Sequence, residues 1–443
     1  MLRTFALVLL LYPFSAPNAS AGVRIEGRDS TIGGSNALDR NIISRNLYGI
    51  HLTNVSATGN TIIGNYIGTD SSGTIVMGNT SKGIFLENGA HGNTVGADTL
   101  AAGNVIGGSF VGVEILAGSG NNKVLGNQIG STLGGRTIPN ITGVFISGSS
   151  SNVVGGLTRE EGNLIVQNTF LGVNITTGDD NGIVGNVIYD NPSGSISLSS
   201  GGNESQVAPV ITNAINDGTN TIVTGTFDAS LQTTYRLEFF ANSSCSGGGE
   251  AERFLGAEIH SGGFFSRVTN FSAVLPLVPA GDWVSAIATK TSSGFFIQVS
   301  HNDTSEISLC VPIALLDDAD MDGVPDQWEV AHGSDTNIND SGDDLDGDSF
   351  TTYEEYVWDT VANNSNSFPQ ITSVSNTSDD VMVSFPSSSN RFFKLQANEN
   401  LTDTNGWQSL SINAVQEIGG TQTIDDPDAD SFGQRSYRIT GGF

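Results

Sequence analysis

The sequence has few basic residues, few cysteines and no apolar run long enough to span a membrane. Lys and Arg number 17 against 46 Asp and Glu, which gives the 443 residues a formal net charge of −29. Such a charge repels nucleic acid and anionic membranes, and it favours cations and neutral molecules as partners. The apolar run from Phe5 to Phe14 is shorter than a membrane-spanning helix, so we expect no membrane insertion.

Residues 1–21 have the three parts of a secretory signal peptide. Arg3 is the early basic residue, the apolar run follows, and Ala19-Ser20-Ala21 precedes Gly22. The sequence therefore predicts an exported protein, which is either free outside the cell or held at a cell surface by protein contacts.

A phrase of glycine followed by alternating aliphatic residues recurs five times. Its copies begin at Gly49, Gly83, Gly112, Gly143 and Gly172. Two asparagine phrases keep the same spacing, with copies that begin at Asn60, Asn93, Asn122, Asn152 and Asn181, and at Asn65, Asn104, Asn127, Asn163 and Asn186. Each unit thus contains three short strands and three turns, without a helical pattern. This indicates an all-β chain that begins with a parallel β-helix, whose coils stack at about 4.8 Å around a shared core. A sandwich of short strands, the alternative, would not require three phrases in one register.

The phrase Asn60-Thr-Ile-Ile-Gly-Asn-Tyr-Ile-Gly-Thr-Asp70 resembles the repeat of right-handed parallel β-helix proteins secreted by bacteria. The resemblance covers residues 22–200 and implies the fold. It says little about activity, because the family includes polysaccharide lyases, hydrolases and proteins without known chemistry. The repeat begins almost at Gly22 and leaves little room for a cap, so its exposed edge invites end-to-end self-association.

Residues 207–312 change to alternating strands of the antiparallel kind, which are typical of an Ig-like β-sandwich. A Glu-Phe-Phe phrase ending at Cys245 and a Thr-Ser-Glu phrase ending at Cys310 resemble the module that commonly follows such β-helices. In an oxidising compartment this lone pair of cysteines is expected to form a disulfide, with two free thiols as the alternative. The resemblance implies that the pair bridges the two ends of the sandwich.

Residues 317–360 contain fifteen Asp or Glu and no Lys or Arg. Two stretches there place oxygen ligands at positions 1, 3, 5, 7, 9 and 12 of an EF-hand loop, position 7 through its backbone carbonyl. The predicted ligands are Asp318, Asp320, Asp322, Val324, Asp326 and Glu329 in the first loop, and Asp344, Asp346, Asp348, Phe350, Thr352 and Glu355 in the second. Gly323 occupies position 6 of the first loop, but the second has Ser349 there and glycine at position 4, so it is the weaker match.

This acidic stretch resembles the paired calcium modules of bacterial surface proteins, which are related to thrombospondin type 3 and dockerin repeats. The resemblance implies calcium as the cofactor. Because the flanks offer no groove for a target, a structural role in rigidifying a linker is expected rather than a sensor role. Residues 367–443 follow as a small β module, which resembles the C-terminal module of many exported proteins from environmental bacteria.

In each glycine phrase the aliphatic residues should point inward and the residue between them outward. This predicts an exposed column, the candidate ligand face, formed by His51, Phe85, Glu114, Phe145 and Asn174. Glu87, in the next column, and Glu114 are spaced to act as acid and base on a glycosidic bond, with His51 as a further candidate. Against catalysis, the face lacks the Lys or Arg base of calcium-dependent lyases, and no Ser-His-Asp or metal-hydrolase motif occurs.

Two functions remain open at this point. The preferred one is a secreted, calcium-stabilised surface protein whose β-helix presents an adhesion or glycan-binding face without catalysis, with polysaccharide or cell-surface and matrix components as partners. The alternative is an extracellular polysaccharide lyase or glycoside hydrolase that uses Glu114, Glu87 and His51.

Overall fold

The structure is a computed structural model. It describes residues 18–158, 160–230, 233–245, 249–262, 267–278, 280–291, 301–315, 317–376, 381–387, 392–399, 407–410, 414–415, 420–426 and 435–441. Most regular elements in these residues are strands, with two short α-helices and two 3₁₀ turns at Ala37–Asp39 and Gly202–Ser205. The predicted all-β fold is therefore confirmed. The expected signal segment lies outside the described residues as far as residue 17.

The first half of the chain is a parallel β-helix built from three sheets. Sheet A has seven strands, and sheets B and C have six each. The strands of sheet A are Asn18–Ile25, Asn46–Thr53, Lys82–Glu87, Val111–Leu116, Thr142–Ser147, Leu171–Ile175 and Ile196–Leu198. Those of sheet B are Thr31–Gly33, Thr61–Ile63, Thr94–Gly96, Lys123–Leu125, Val153–Gly155 and Gly182–Val184. Those of sheet C are Ile42–Ile43, Tyr66–Ile67, Val105–Ile106, Gln128–Ile129, Leu164–Val166 and Val187–Tyr189. One strand from each sheet makes a coil.

The interior of the β-helix is a column of aliphatic side chains at the sheet positions that the repeat places inward. In sheet A it includes Ile84, Val113 and Val144, which are fully buried and pair in register from coil to coil. The glycine of each phrase allows this close stacking. A Cβ on Gly83 would lie 2.5 Å from the carbonyl oxygen of Gly112 in the next coil, so any larger residue would force the coils apart.

Asparagine ladders run through two corners of the β-helix, as predicted. They contain Asn60, Asn93, Asn122, Asn152 and Asn181, and Asn65, Asn104, Asn127, Asn163 and Asn186, all buried. Each asparagine except the last of each ladder donates its backbone and side-chain N–H groups to the amide oxygen of the next. Asn104, for example, donates to Oδ1 of Asn127 at 3.2 and 2.9 Å. The ladders pair polar groups that would otherwise be buried without partners.

A third ladder at the remaining corner was not predicted. Asn46 donates to Asn79, and Asn140 donates to Asn168 and Asn168 to Asn191. Its sequence signal is an asparagine three or four residues before four of the five phrase glycines. Ser109 holds the intervening position, which breaks the pattern in the sequence.

Two antiparallel sheets follow and pack face to face as a β-sandwich. Sheet D contains Val210–Asn216, Asn220–Asp228 and Val268–Pro276, with Ala314–Leu315 paired in parallel at its edge. Sheet E contains Thr234–Asn242, Arg253–Ser261, Trp283–Thr291, His301–Thr304 and Val311–Pro312. Phe227, Tyr235 and Phe239 fill the core between them. Cys245 and Cys310 form the predicted disulfide, which excludes the alternative of two free thiols.

The sandwich caps the end of the β-helix. Four of its side chains join the aliphatic core of the solenoid, namely Phe240, Ala251, Ile287 and Ile307. The last coil donates backbone N–H groups to the sandwich, from Ile183 to Thr304 Oγ1 at 2.8 Å and from Gly185 to Glu238 Oε2 at 3.1 Å. Asn203 continues one of the ladders beyond the last coil, since its amide oxygen accepts from the Asn181 backbone N–H and its amide nitrogen donates to the Thr304 carbonyl.

The opposite end of the β-helix is open in the part of the chain that the structure describes. The first strand of each sheet has no outer neighbour there. A concavity of about 480 Å³ at this end is lined by core side chains that include Val23, Ile25 and Ile43. End-to-end self-association through this edge stays a prediction.

The acidic stretch carries two helices, α1 (Asp326–His332) and α2 (Thr352–Trp358). Two small sheets follow them. One contains Ser373–Asn376, Val381–Ser387 and Gly420–Asp426, and the other contains Phe392–Asn398, Gln408–Ser409, Ala414–Val415 and Ser436–Gly441. The module boundaries expected from the sequence stay predictions.

Candidate functional site

The first acidic loop, residues 318–329, is folded around its leading carboxylate. Asp318 accepts the backbone N–H groups of Asp322 and Gly323, each at 3.1 Å. Two residues have left-handed backbone, Met321 at position 4 with φ 60° and Gly323 at position 6 with φ 94°. These bonds turn the chain sharply enough to bring its carboxylates together before α1 begins.

The second loop, residues 344–355, has the same backbone. Asp344 accepts the N–H groups of Asp348 at 3.2 Å and Ser349 at 2.9 Å. Positions 4 and 6 are again left-handed, in Gly347 with φ 80° and Ser349 with φ 83°. Each loop thus has two left-handed positions, 4 and 6. The first loop has its glycine at position 6, and the second has it at position 4, which is why the second loop matched the sequence pattern less well.

Each loop ends in a buried glutamate, and three of the four carboxylate oxygens of this pair have no hydrogen-bond partner in the described part of the chain, while Glu355 Oε1 accepts from the Thr360 hydroxyl at 3.1 Å. Glu329 and Glu355 are fully buried. Among the described residues, neither carboxylate oxygen of Glu329 accepts a hydrogen bond, and neither does Oε2 of Glu355. A buried, unpaired carboxylate is unfavourable by several kcal/mol in general. A hard divalent cation would satisfy these oxygens, and the groups of metal-binding side chains found in the described residues consist of carboxylates alone.

The acidic surroundings alter the ionisation of these groups. Burial, with the charges of Asp322, Asp320 and Asp340, raises the pKa of Glu329 to about 8. Burial, with the charge of Asp348 among others, raises the pKa of Glu355 to about 7. With these raised pKa values both glutamates are partly protonated near neutral pH, and a cation that bound there would compete with the proton.

Three sets of carboxylates have oxygens within 4.8 Å of one another. They are Asp318, Asp320 and Asp322; Asp322, Glu329 and Asp340; and Asp344, Asp346 and Asp348. Seven of these eight residues were predicted as ligands, but Asp340 was not. Asp340 lies between the two loops, and its sequence context offers no spacing signal. These clusters are able to bind a metal ion.

Two predicted ligands make other contacts. Asp326 Oδ1 accepts the backbone N–H of Ala319 at 2.8 Å. The Thr352 hydroxyl donates to the Asp343 carbonyl at 3.2 Å. Among the described residues, Asp326 and Glu355 belong to none of the three carboxylate clusters, and Thr352 has no carboxylate, so the role of these residues as ligands stays a prediction.

The two loop helices pack on each other and on the neighbouring modules. Trp328 of α1 meets Tyr356 of α2 edge to face, with ring centroids 5.4 Å apart. The Tyr356 hydroxyl accepts a hydrogen bond from Asn216 of the sandwich at 2.8 Å. At the end of α2, Trp358 packs on Phe393 of the C-terminal sheets at 4.6 Å. The acidic loops thus sit at the junction between two β modules.

The predicted ligand face on sheet A has the expected register. His51, Phe85, Glu114, Phe145 and Asn174 are paired coil to coil in one column. The prediction that the side chains of this column are exposed was wrong for His51, Phe85 and Glu114, which are buried. His51 stacks on Phe85 with centroids 5.0 Å apart, and Tyr48 packs against both rings. Bulky side chains in adjacent coils lie close enough to cover one another.

The charges on this face are paired. His51 Nε2 lies 3.0 Å from Glu87 Oε1, and Lys82 Nζ lies 2.7 Å from Glu114 Oε1. The prediction that the face has no Lys was wrong. The Gly83 and Ile84 positions both turn inward, since a Cβ on Gly83 would lie 2.9 Å from the core atom Ile106 Cγ2. This breaks the strict alternation and brings Lys82 to the outer surface, where its ammonium group meets Glu114.

An apolar stripe, which sequence reasoning missed, borders this face. Phe110, Ile141 and Phe170 each lie just before a sheet A strand and are 54%, 40% and 49% exposed. Backbone hydrogen bonds join their coils, from Thr142 to the Phe110 carbonyl and from Phe170 to the Ile141 carbonyl. Its sequence signal is a large apolar residue two positions before a phrase glycine.

No helix in the described residues is long and apolar enough to cross a membrane. No family model matches this chain, and no curated protein matches it. Function must therefore be inferred from the acidic loops and from the outer surface of sheet A.

Proposed function

We propose that the protein is a secreted, calcium-stabilised surface protein whose β-helix binds polysaccharide or other cell-surface material without catalysis. One observation carries the calcium assignment. Glu329 is fully buried, both of its carboxylate oxygens lack hydrogen-bond partners among the residues that the structure describes, and one of them lies within 4.8 Å of oxygens from Asp322 and Asp340. Calcium prefers six to eight oxygen ligands, and the two loops supply oxygen ligands alone.

Calcium has a structural role in this proposal. The loops join the sandwich to the C-terminal sheets through Asn216, Tyr356, Trp358 and Phe393. Without an ion, the clustered carboxylates repel one another, and a bound ion removes that repulsion. The ion would then fix the two helices and, through them, the modules on either side.

Export is supported by the disulfide between Cys245 and Cys310, since such bonds persist in oxidising compartments. The signal-like segment 1–21 agrees with this location.

The binding surface in this proposal is the apolar stripe of Phe110, Ile141 and Phe170. Exposed apolar surface that recurs from coil to coil is typical of an interaction site. Aromatic rings there could stack on the apolar faces of sugar rings. Absence of catalysis is favoured because His51 and Glu114, two of the proposed catalytic groups, are buried and already paired with Glu87 and Lys82.

An extracellular polysaccharide-degrading enzyme is the second candidate. The observation in its favour is that Lys82, Glu114, His51 and Glu87 lie together on one face, which supplies both acidic and basic groups. Ligand-induced rearrangement would have to expose them first.

The test is a screen of the full-length protein with calcium against acidic and neutral polysaccharides. Retention and reducing-end release are both measured. We expect retention without release, unchanged in Glu114→Gln and Glu87→Gln and reduced in Phe110→Ser with Phe170→Ser. Val55→Ser, at another exposed apolar residue, is the control. Release that disappears in the glutamate variants would support the enzyme instead.

A further inference from the structure

We propose that Asp340 is a ligand of the first calcium site, supplied from outside the twelve-residue loop, and that it couples the two sites. This inference depends on the proposed calcium binding. Asp340 is only 6% exposed. Its Oδ2 accepts the backbone N–H of Asp335 at 3.2 Å, whereas its buried Oδ1 has no partner among the described residues.

The distances fit a single ion. Oxygens of Asp322, Glu329 and Asp340 lie within 4.8 Å of one another. Two ligands on opposite sides of a calcium ion lie about 4.6–5.2 Å apart, which is twice the usual metal–oxygen distance. Asp322 also belongs to the set with Asp318 and Asp320, so it connects Asp340 to the ligands that the loop pattern predicts.

Three carboxylates converge here, and the segment has no permanently cationic side chain to neutralise them. Residues 317–360 contain no Lys or Arg. Both oxygens of Glu329 and Oδ1 of Asp340 are buried without a donor in the described part of the chain. Converging buried carboxylates destabilise a fold unless a cation neutralises them.

The same segment touches the second site. Ser341 donates its N–H to Asp322 Oδ2 at 3.0 Å, and its carbonyl accepts the N–H of Tyr353 at 3.0 Å. The Asp343 carbonyl accepts the N–H of Thr352 at 2.9 Å, at the start of α2. An ion that fixes Asp340 would therefore order residues 340–343 and, with them, the second loop.

Calorimetric titration of the full-length protein with calcium tests this assignment. Glu355→Gln serves as the background, because it weakens the second site and leaves the first to be measured. Asp340→Asn in that background should weaken the remaining site at least about tenfold. Asp343→Asn is the matched control, since it removes an exposed charge three residues away and should change affinity less than about threefold.

Stability separates a ligand from a structural residue. If Asp340 is a ligand, its loss should leave the thermal midpoint of the calcium-free protein unchanged or higher, because one buried charge is gone. The increase in thermal midpoint that calcium causes should become smaller. A structural residue would lower the midpoint in both states. In the unaltered protein, calcium should also slow amide exchange in residues 335–343, a measurement that requires no variant.

The outcomes are distinct. If the unaltered protein binds no calcium, the proposed function fails and this inference fails with it. A second outcome is that Asp340→Asn binds calcium as tightly as the Glu355→Gln background and the Asp343→Asn control. A third is that calcium does not slow amide exchange in residues 335–343. Either of these overturns only the role of Asp340.

Discussion

Ser349 of the second acidic loop has the same left-handed backbone as Gly323 at the equivalent position of the first, with φ of 83° and 94°. A side chain is strained in this region, whereas glycine is not. The second loop therefore keeps the geometry of the first despite a less suitable residue, which indicates that the surrounding hydrogen bonds to Asp344 impose the conformation.

Replacing Ser349 with glycine should stabilise the second loop. We expect Ser349→Gly to raise the unfolding free energy by about 1 kcal/mol, and to strengthen calcium binding at that loop, because the strain is relieved. Chemical denaturation and calorimetry measure the two effects. Ser349→Ala retains the Cβ and should give no such gain; a similar gain in both variants would contradict the explanation from backbone strain.

The two loop glutamates should make the calcium-free protein less stable as pH rises from mildly acidic to mildly basic values. In the fold, burial and neighbouring charges raise the pKa of Glu329 to about 8 and of Glu355 to about 7, above the value of about 4.3 in an unfolded chain. Between these values the folded state holds protons that the unfolded state has released, so the contribution of these two groups to stability is fully present below pH of about 4.3 and is lost as pH rises through about 7 and 8. Calcium requires the deprotonated groups, so its affinity should rise over the same window.

Thermal midpoints between about pH 5 and about pH 9, with and without calcium, measure this effect. The double variant Glu329→Gln with Glu355→Gln is the control, since it removes both titrating groups and should weaken the pH dependence. A calcium-free midpoint that depends on pH equally in the variant and the unaltered protein would show that other groups control it.

Removing an asparagine from a ladder should destabilise the β-helix more at a buried position than at a partly exposed one. Asn127 accepts two hydrogen bonds from Asn104 and donates to Asn163, all buried, so Asn127→Ala should cost about 2–4 kcal/mol. Asn41 lies at the partly exposed end and donates to Asn65, so Asn41→Ala should cost about 1 kcal/mol or less. Urea denaturation compares them, and equal losses would argue against a continuous buried ladder.

Removing the Thr304 hydroxyl should loosen the cap on the β-helix. Thr304→Val leaves the buried N–H of Ile183 without its acceptor, at a cost of about 1–3 kcal/mol. Thr291→Val is a matched control within the sandwich, where the hydroxyl donates to the Thr234 carbonyl. Hydrogen exchange in residues 182–188 should accelerate in Thr304→Val alone; equal exchange in both variants would mean that the contact does not hold the last coil.

The sequence predicts well whatever repeats or depends on local spacing. Gly83 and Gly112 mark the phrases because the coils approach too closely for a side chain. Asn104 and Asn127 can be recognised in the sequence because the same corner of each coil stacks on that of the next, so that the same residue type is needed at each repeat. Asp318 and Asp344 can be found from the twelve-residue spacing alone, since a loop ligand set is a property of one short stretch.

Other features depend on which parts of the chain meet. Asp340 joins the first site although it lies outside the loop pattern, and Glu114 is buried because rings and charges in adjacent coils cover it. Lys82 reaches the outer face because Gly83 turns inward and breaks the alternation that sequence reasoning assumed.

The amino-acid sequence by itself therefore determined the β-helix, the disulfide partners and most of the acidic loop residues, because a stacked repeat and a twelve-residue loop are encoded by short-range spacing. Only the tertiary structure decided that Phe240 and Ile287 of the sandwich complete the solenoid core, that the predicted ligand face is largely self-covered, and that Asp340 approaches Glu329. These contacts join residues far apart in the chain, and their formation depends on how whole modules pack.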